Sequence, residues 1–252
     1  MGFRHISAVI ITFNEIKNIA RCIESLKEVT DEIIVVDSFS ADGTYELAVD
    51  LGATVVQMPW EGYAMSKNKG NQMAKNDWIL SIDADEVLSS GLIDSINRIE
   101  PAEGTVYWLD RLNFYGEKAI RFSGFYPDWK PRLFNKQHVR WEGNFVHESL
   151  EIPAGFKKLK LEGKLFHYTY SSAEDHKARM LKYARLSALK MKDQGRKASF
   201  ISIWISPITR FFISYFIKLG IFDGKEGFLI AYRYMWATHM KYRLLAEMTK
   251  NS

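Results

Sequence analysis

Only one cysteine, Cys22, occurs in the 252 residues, so an intrachain disulfide framework is excluded. A lone thiol fits a reducing compartment. Long apolar runs are also missing. The most apolar stretch, 199–222, is interrupted by Pro207, Arg210 and Lys218, whereas a spanning helix needs about 20 mostly apolar residues. Residues 6–13, ISAVIITF, are apolar but short and run straight into Asn14-Glu15. They predict a buried strand rather than a secretory signal. Ile6 stands where a myristoylation signal needs Ser or Thr. Neither the glycine fingerprint of dinucleotide-binding folds nor a P-loop follows that strand. No internal repeat or low-complexity linker is present.

What remains is ordinary globular composition, 47% hydrophobic and 25% charged, which excludes a disordered or fibrous chain. The net charge of +4 conceals a division: residues 1–156 carry 15 Lys and Arg against 23 Asp and Glu, and residues 157–252 carry 19 against 7. Two surfaces with different partners are expected.

The first third alternates strand and helix. Strands are predicted over 6–12, 32–36, 53–57 and 78–82, with helices over 17–27, 45–51 and 65–74 between them. Apolar strands separated by helices predict a mostly parallel sheet covered on both faces. Such sheets bind ligands at the carboxyl ends of their strands, where Asn14, Asp37 and Asp83 fall. Residues 105–170 have short β patterns, including 106–109 and 159–167, and many aromatics. These predict antiparallel strands that complete the sheet. From 172 onward the pattern is helical.

The strongest chemical signal is Ser81-Ile-Asp83-Ala-Asp85-Glu86. Two carboxylates one residue apart at a strand end can face one hard cation, and Mg²⁺ and Mn²⁺ take oxygen ligands that bridge to phosphates. The competing reading is a solvated acidic turn; the apolar strand before it and the two earlier polar strand ends favour the cation. Asn14 as a helix cap and Asp42-Gly43 as a turn are the structural alternatives for the other two strand ends.

ISAVIITFNE, IIVVDSFSADGT, Lys67-Asn68 and DWILSIDADE together resemble the nucleotide-sugar-binding half of family-2 glycosyltransferases. The resemblance implies a GT-A fold: an α/β, Rossmann-like mixed sheet with helices on both faces, plus a helical C-terminal extension. It implies a catalytic domain over 1–170, with a nucleotide-sugar half at about 5–100 and an acceptor half at about 101–170. The basic, aromatic-rich extension would occupy 171–252. It further implies that Thr12, Asn14, Glu15 and Asp37 line the nucleotide pocket and that Lys67 and Asn68 approach the ribose or diphosphate. Asp83 and Asp85 would form a DxD motif whose metal, Mg²⁺ or Mn²⁺, sits on a UDP-sugar.

FYPDWKPRLFNK, WEGNFVHESL, the stretch from Tyr168 to Leu186 and FDGKEGFLIAYRYMWATHMKY resemble the lipopolysaccharide core β-1,4-glucosyltransferase-like branch. The usual Glu-Asp base motif of the family is absent, and His147-Glu148 stands in its place. The expectation is an inverting transfer of a sugar, glucose by resemblance, to a glycolipid acceptor. Glu148 or Asp128 would be the base, and His147 a further metal ligand or the residue that orients the base. Arg132 is expected to hold a phosphate or to form a salt bridge, and Trp129 and Trp141 to stack on sugars or pack in the core. The aromatic, basic tail, with Arg210 and Lys218, suits an anionic membrane surface. The expected location is cytoplasmic, peripheral on the inner face of the cytoplasmic membrane. Nucleic-acid binding is not expected, since no binding module is present. The rival readings are a nucleotidyltransferase on a related sheet, which lacks its glycine- and arginine-rich loop here, and a non-catalytic membrane-bound binding protein.

Overall fold

The computed structural model describes residues 5–143, 148–170 and 172–250. His147 therefore lies outside the described residues. The chain forms two compact units, one of Met1–Arg111 with Asp128–His167 and one of Leu112–Pro127 with Tyr168–Ser252. The second unit thus includes residues 112–127 as well as the expected helical extension.

In the first unit, β1 (Ile6–Thr12), α1 (Ile19–Leu26), β2 (Glu32–Asp37), α2 (Thr44–Asp50), β3 (Thr54–Gln57), α3 (Tyr63–Met73) and β4 (Trp78–Asp83) follow in order. β1 lies parallel to both β2 and β4, and β2 lies parallel to β3. Next come β5 (Glu86–Leu88), α4 (Ser90–Arg98) and β6 (Thr105–Tyr115), then β7 (Lys118–Ala119) in the second unit. β8 (Trp129–Asn135) pairs antiparallel with β4 and with β6, so the sheet is mixed. β9 (Arg140–Glu142) and β10 (Ser149–Glu151) form a separate ribbon, β11 (Lys157–Lys160) runs parallel to β6, and β12 (Leu165–Tyr170) pairs antiparallel with β5.

Burial on both faces explains why the parallel strands are continuous apolar runs. Ala8 and Ile10 pack on one side with Ile19, Ile23, Leu26 and Leu92. Val9 packs on the other with Ile34, Ala64, Ile79 and Phe134. Each fully buried Ile or Leu contributes about 1.5–3 kcal/mol relative to exposure. α3 approaches the sheet through small residues. A Cβ on Gly70 would lie 2.5 Å from Val9 Cγ1 and 2.9 Å from Val36 Cγ2. That close approach seats Lys67, one turn earlier, with almost no exposure.

In the second unit, α5 (Ala173–Asp193) is capped by Ser172, whose Oγ accepts from Asp175 N at 3.0 Å. Glu174 and Asp175 fall in its first turn and Lys190 and Lys192 in its last, complementing the helix dipole. α6 (Ser206–Phe212) is flanked by π-helical turns at Ile201–Ile205 and Ile213–Ile217, and α7 (Gly224–Lys250) ends the described chain. A Cβ on Gly227 would meet Gly220 O at 1.9 Å, so glycine permits the tight bend before α7. Asp223 completes that bend, its carboxylate accepting from Arg121 N and Phe122 N at 3.0 Å each. Among the described residues no single helix is long and apolar enough to cross a membrane. The pair Ile201–Ile217 and Gly220–Lys250, bent by 72°, meets the length and composition criteria only together.

Candidate active site

Parallel pairing brings the sequence-predicted polar residues into one row. Thr12 is in register with Asp37, and Ile11 with Asp83. The strand ends are then joined by their loops. Asn14, in the left-handed region at φ 56°, donates its N–H to Ser40 Oγ at 2.8 Å, and its Oδ1 accepts from Ala41 N at 2.9 Å. Asn tolerates this conformation better than most residues. Glu15 N–H donates to Thr44 Oγ1 at 2.8 Å. Asp37 is fully buried; its carboxylate accepts from Ser40 N–H and hydroxyl and from Gln57 Nε2 at 3.0 Å. These hydrogen bonds hold the loop after β2. The hydroxyl of buried Thr12 has no hydrogen-bond partner among the described residues, leaving a polar atom in the row that a ligand can satisfy. Phe13 and Phe39, 59% and 55% exposed, flank these ends.

The acidic motif after β4 divides into three environments. Asp83 faces Lys67 Nζ at 3.0 Å and Arg132 Nη2 at 2.7 Å. Burial pushes its carboxyl upward, but Arg132 and then Lys67 outweigh this and hold it well below the usual carboxylate range. Glu86 is fully buried. Its Oε1 accepts from Arg132 at 2.6 Å and lies 3.4 Å from Arg111, while its Oε2 accepts from Asp83 N–H at 3.0 Å. Asp85 instead faces His167, with Oδ2 3.3 Å from Nε2. The β5–β12 register places His167 opposite Glu86, next to Asp85. A carboxylate and an imidazole this close could together hold one divalent cation. Among the described residues no three His, Cys, Asp or Glu side chains converge as a full protein cage.

The two candidate bases also differ. Glu148 is partly exposed, with Oε1 3.5 Å from Lys67 Nζ. Asp128 Oδ2 accepts from Arg111 Nε at 2.8 Å and Nη2 at 2.7 Å, and Oδ1 lies 3.0 Å from Lys130. Partial burial raises its carboxyl, but Arg111 and then Lys130 outweigh that and depress it overall. A carboxylate stabilised in this way is a weak proton acceptor.

A family model described as glycosyl transferase family 2 matches residues 7–158. An uncharacterized glycosyltransferase of Rickettsia bellii is 35% identical over 98% of this chain and 87% of its own. The lipopolysaccharide core biosynthesis glycosyltransferase LpsC of Rhizobium meliloti is 29% identical over 90% of this chain and 86% of its own. The glucosyl-3-phosphoglycerate synthase of Mycobacterium tuberculosis, solved with Mn²⁺, UDP and glucosyl-3-phosphoglycerate, is 17% identical over 77% of this chain and 81% of that chain. The TM-score of that match is 0.47. The chain belongs to glycosyl transferase family 2. It is a glycosyltransferase, which sets aside the nucleotidyltransferase and the non-catalytic binding protein.

Within this family-2 enzyme, the structure gives surroundings to the remaining candidate residues. Arg132 is a salt-bridging residue: it is buried, and its Nη2 spans Asp83 and Glu86. Asn68 uses both side-chain atoms on the Trp141 backbone, donating to O at 2.8 Å and accepting from N at 2.9 Å. Trp141 is a core residue, edge-on to Phe134, with Lys67 Nζ 4.3 Å from its ring centroid. Trp129 remains partly exposed, with Lys160 Nζ 4.4 Å from its centroid. His167 has no local signal in the sequence, since it lies inside a β pattern; only the pairing of β12 with β5 brings it beside Asp85. Arg111 is likewise silent in sequence, because its partners Glu86 and Asp128 are remote from it, and Glu86 stands within the acidic motif without its ion-pairing role being visible there.

Replacing Arg132 with Met would remove the nearer of the two cations on buried Glu86 and leave it only Arg111, at 3.4 Å. Breaking such a pair costs about 3–5 kcal/mol, so chemical denaturation should report a loss of that size. An unchanged midpoint would remove the bridging role.

Proposed function

We propose that the enzyme transfers a sugar from a UDP-sugar to a lipid-linked glycan of the lipopolysaccharide-core kind, with inversion and with a divalent cation, Mg²⁺ or Mn²⁺. The observation that carries the reading is the division of the acidic motif, which neutralises Asp83 and Glu86 and leaves Asp85 beside His167. Asp85 and His167 would hold the cation; His147, outside the described residues, remains a further candidate ligand. A cation held there would supply positive charge to the departing diphosphate. The exposed ring of Phe13 offers a stacking face for the uracil ring, and the Thr12 hydroxyl, without a partner among the described residues, offers it a hydrogen bond. Glu148 accepts the proton of the acceptor hydroxyl as that oxygen attacks the anomeric carbon. Lys67, at 3.5 Å, holds Glu148 in position.

The similarity to LpsC, a lipopolysaccharide core biosynthesis enzyme by its name, supports the acceptor class. The reading includes peripheral attachment to the inner face of the cytoplasmic membrane. Residues 194–222 contain no carboxylate and expose Phe200, Trp204, Phe212 and Ile217. That combination suits an anionic interface.

A panel of nucleotide sugars, assayed with Mn²⁺ and with EDTA, tests this reading. Consumption of a UDP-sugar that stops in EDTA is expected. Undiminished consumption in EDTA, or preference for a non-uridine donor, would contradict it.

A further inference from the structure

The second unit contains a groove of about 590 Å³ between α5, the 201–213 segment and α7. Its volume lies within the range of small-molecule sites. Met180, Ala184, Ile205 and Ala237 give it apolar walls, and its charged lining is Arg210 and Lys241, with no carboxylate. Neither cation is ion-paired with a carboxylate among the described residues. Arg210 lies 4.9 Å from the centroid of Tyr234, and Lys241 Nζ lies 4.3 Å from that of Tyr242. Aromatic faces hold the two charges without neutralising them, so both remain available to an anion. π-helical turns flank α6 on either side, and such turns occur frequently at functional sites. The lips of the groove, Ile201 and Ile205, are also exposed and continue into the apolar run of 200–222.

A free anion would not need apolar walls, and a neutral hydrophobe would not need two unneutralised cations. We infer that the groove binds one acyl chain of an anionic lipid, whose phosphate is held by Arg210 and Lys241. The site belongs to the helical unit and goes beyond the transfer reaction. It makes membrane attachment selective for lipid charge and chain together, rather than a matter of apolar area alone.

The test uses the full chain and single-chain lipids below their micelle concentration, with binding read by titration calorimetry. Palmitoyl lysophosphatidylglycerol should bind at least about tenfold more tightly than palmitoyl lysophosphatidylcholine, since each cation near an anionic headgroup contributes about fivefold. Glycerol phosphate, which carries the charge without the chain, should not compete at equal concentration. Ala237→Trp fills the groove and should abolish lysophosphatidylglycerol binding. Arg210→Gln with Lys241→Gln should remove the headgroup preference while weak chain binding persists. Circular dichroism of each variant should match that of the wild type, and for a variant that unfolds the two probe comparisons on wild type stand alone. Equal affinity for both lipids, full competition by glycerol phosphate, or wild-type binding by folded Ala237→Trp would each overturn the inference. No donor sugar enters the assay, so its failure and that of the proposed transfer reaction are separable.

Discussion

Asp85→Asn is expected to abolish sugar transfer while leaving the fold intact. The substitution preserves shape but removes the negative charge that faces His167 at 3.3 Å. Unlike Asp83 and Glu86, Asp85 has no Arg or Lys salt bridge among the described residues. Its loss should therefore cost little stability and remove most of the cation affinity. His167→Gln should raise the Mn²⁺ concentration needed for half-maximal activity and leave the maximal rate closer to wild type. Asp83→Asn should behave differently, because it takes one carboxylate from each of the buried cations Lys67 and Arg132. A lowered melting temperature should accompany its loss of activity. If Asp85→Asn retains wild-type turnover in the presence of EDTA, the cation site is elsewhere or not required.

Glu148→Gln should reduce turnover by about 10² or more, the range expected when a general base is removed, with donor binding little changed. Asp128→Asn is the control. Because Arg111 and Lys130 depress the Asp128 carboxyl, the native state binds that proton less readily than the unfolded chain. The pairing is then fully present above the ordinary Asp range and is lost as pH falls through the depressed value. Asp128→Asn should accordingly flatten the acid limb of a stability-against-pH curve and leave transfer within a few-fold of wild type. The opposite pattern, with turnover collapsing in Asp128→Asn and surviving in Glu148→Gln, would exchange the two roles.

The parallel half of the fold was legible because each strand is buried on both faces and therefore appears as a bounded apolar run. β1 matches its predicted range, and β2, β3, β4 and α1 to α3 differ from theirs by two residues at most. The strand ends gave Asn14, Asp37, Asp83 and Asp85 for the same reason, since topology fixes where a parallel strand stops. What stayed hidden depends on partners distant in sequence. Arg132 lies 46 positions from Glu86 and 49 from Asp83, and nothing local distinguishes such a pair from a phosphate ligand. His167 gains significance only through β5–β12 pairing. Asn68 presents an open polar side chain in sequence and is committed to the Trp141 backbone in space. In the tail, the helical period predicted helices but not the π turns at 201–205 and 213–217. One extra residue per turn leaves no mark on an apolar pattern that is already exposed.

The central claim is that Glu148 directs the acceptor oxygen onto the anomeric carbon of a UDP-sugar opposite the diphosphate. The most direct test is proton NMR of the product formed by wild-type enzyme from an α-linked UDP-sugar and a lipopolysaccharide-core acceptor. A β-linked product, lost in Glu148→Gln, is predicted. An α-linked product would contradict the mechanism itself and not only the choice of base.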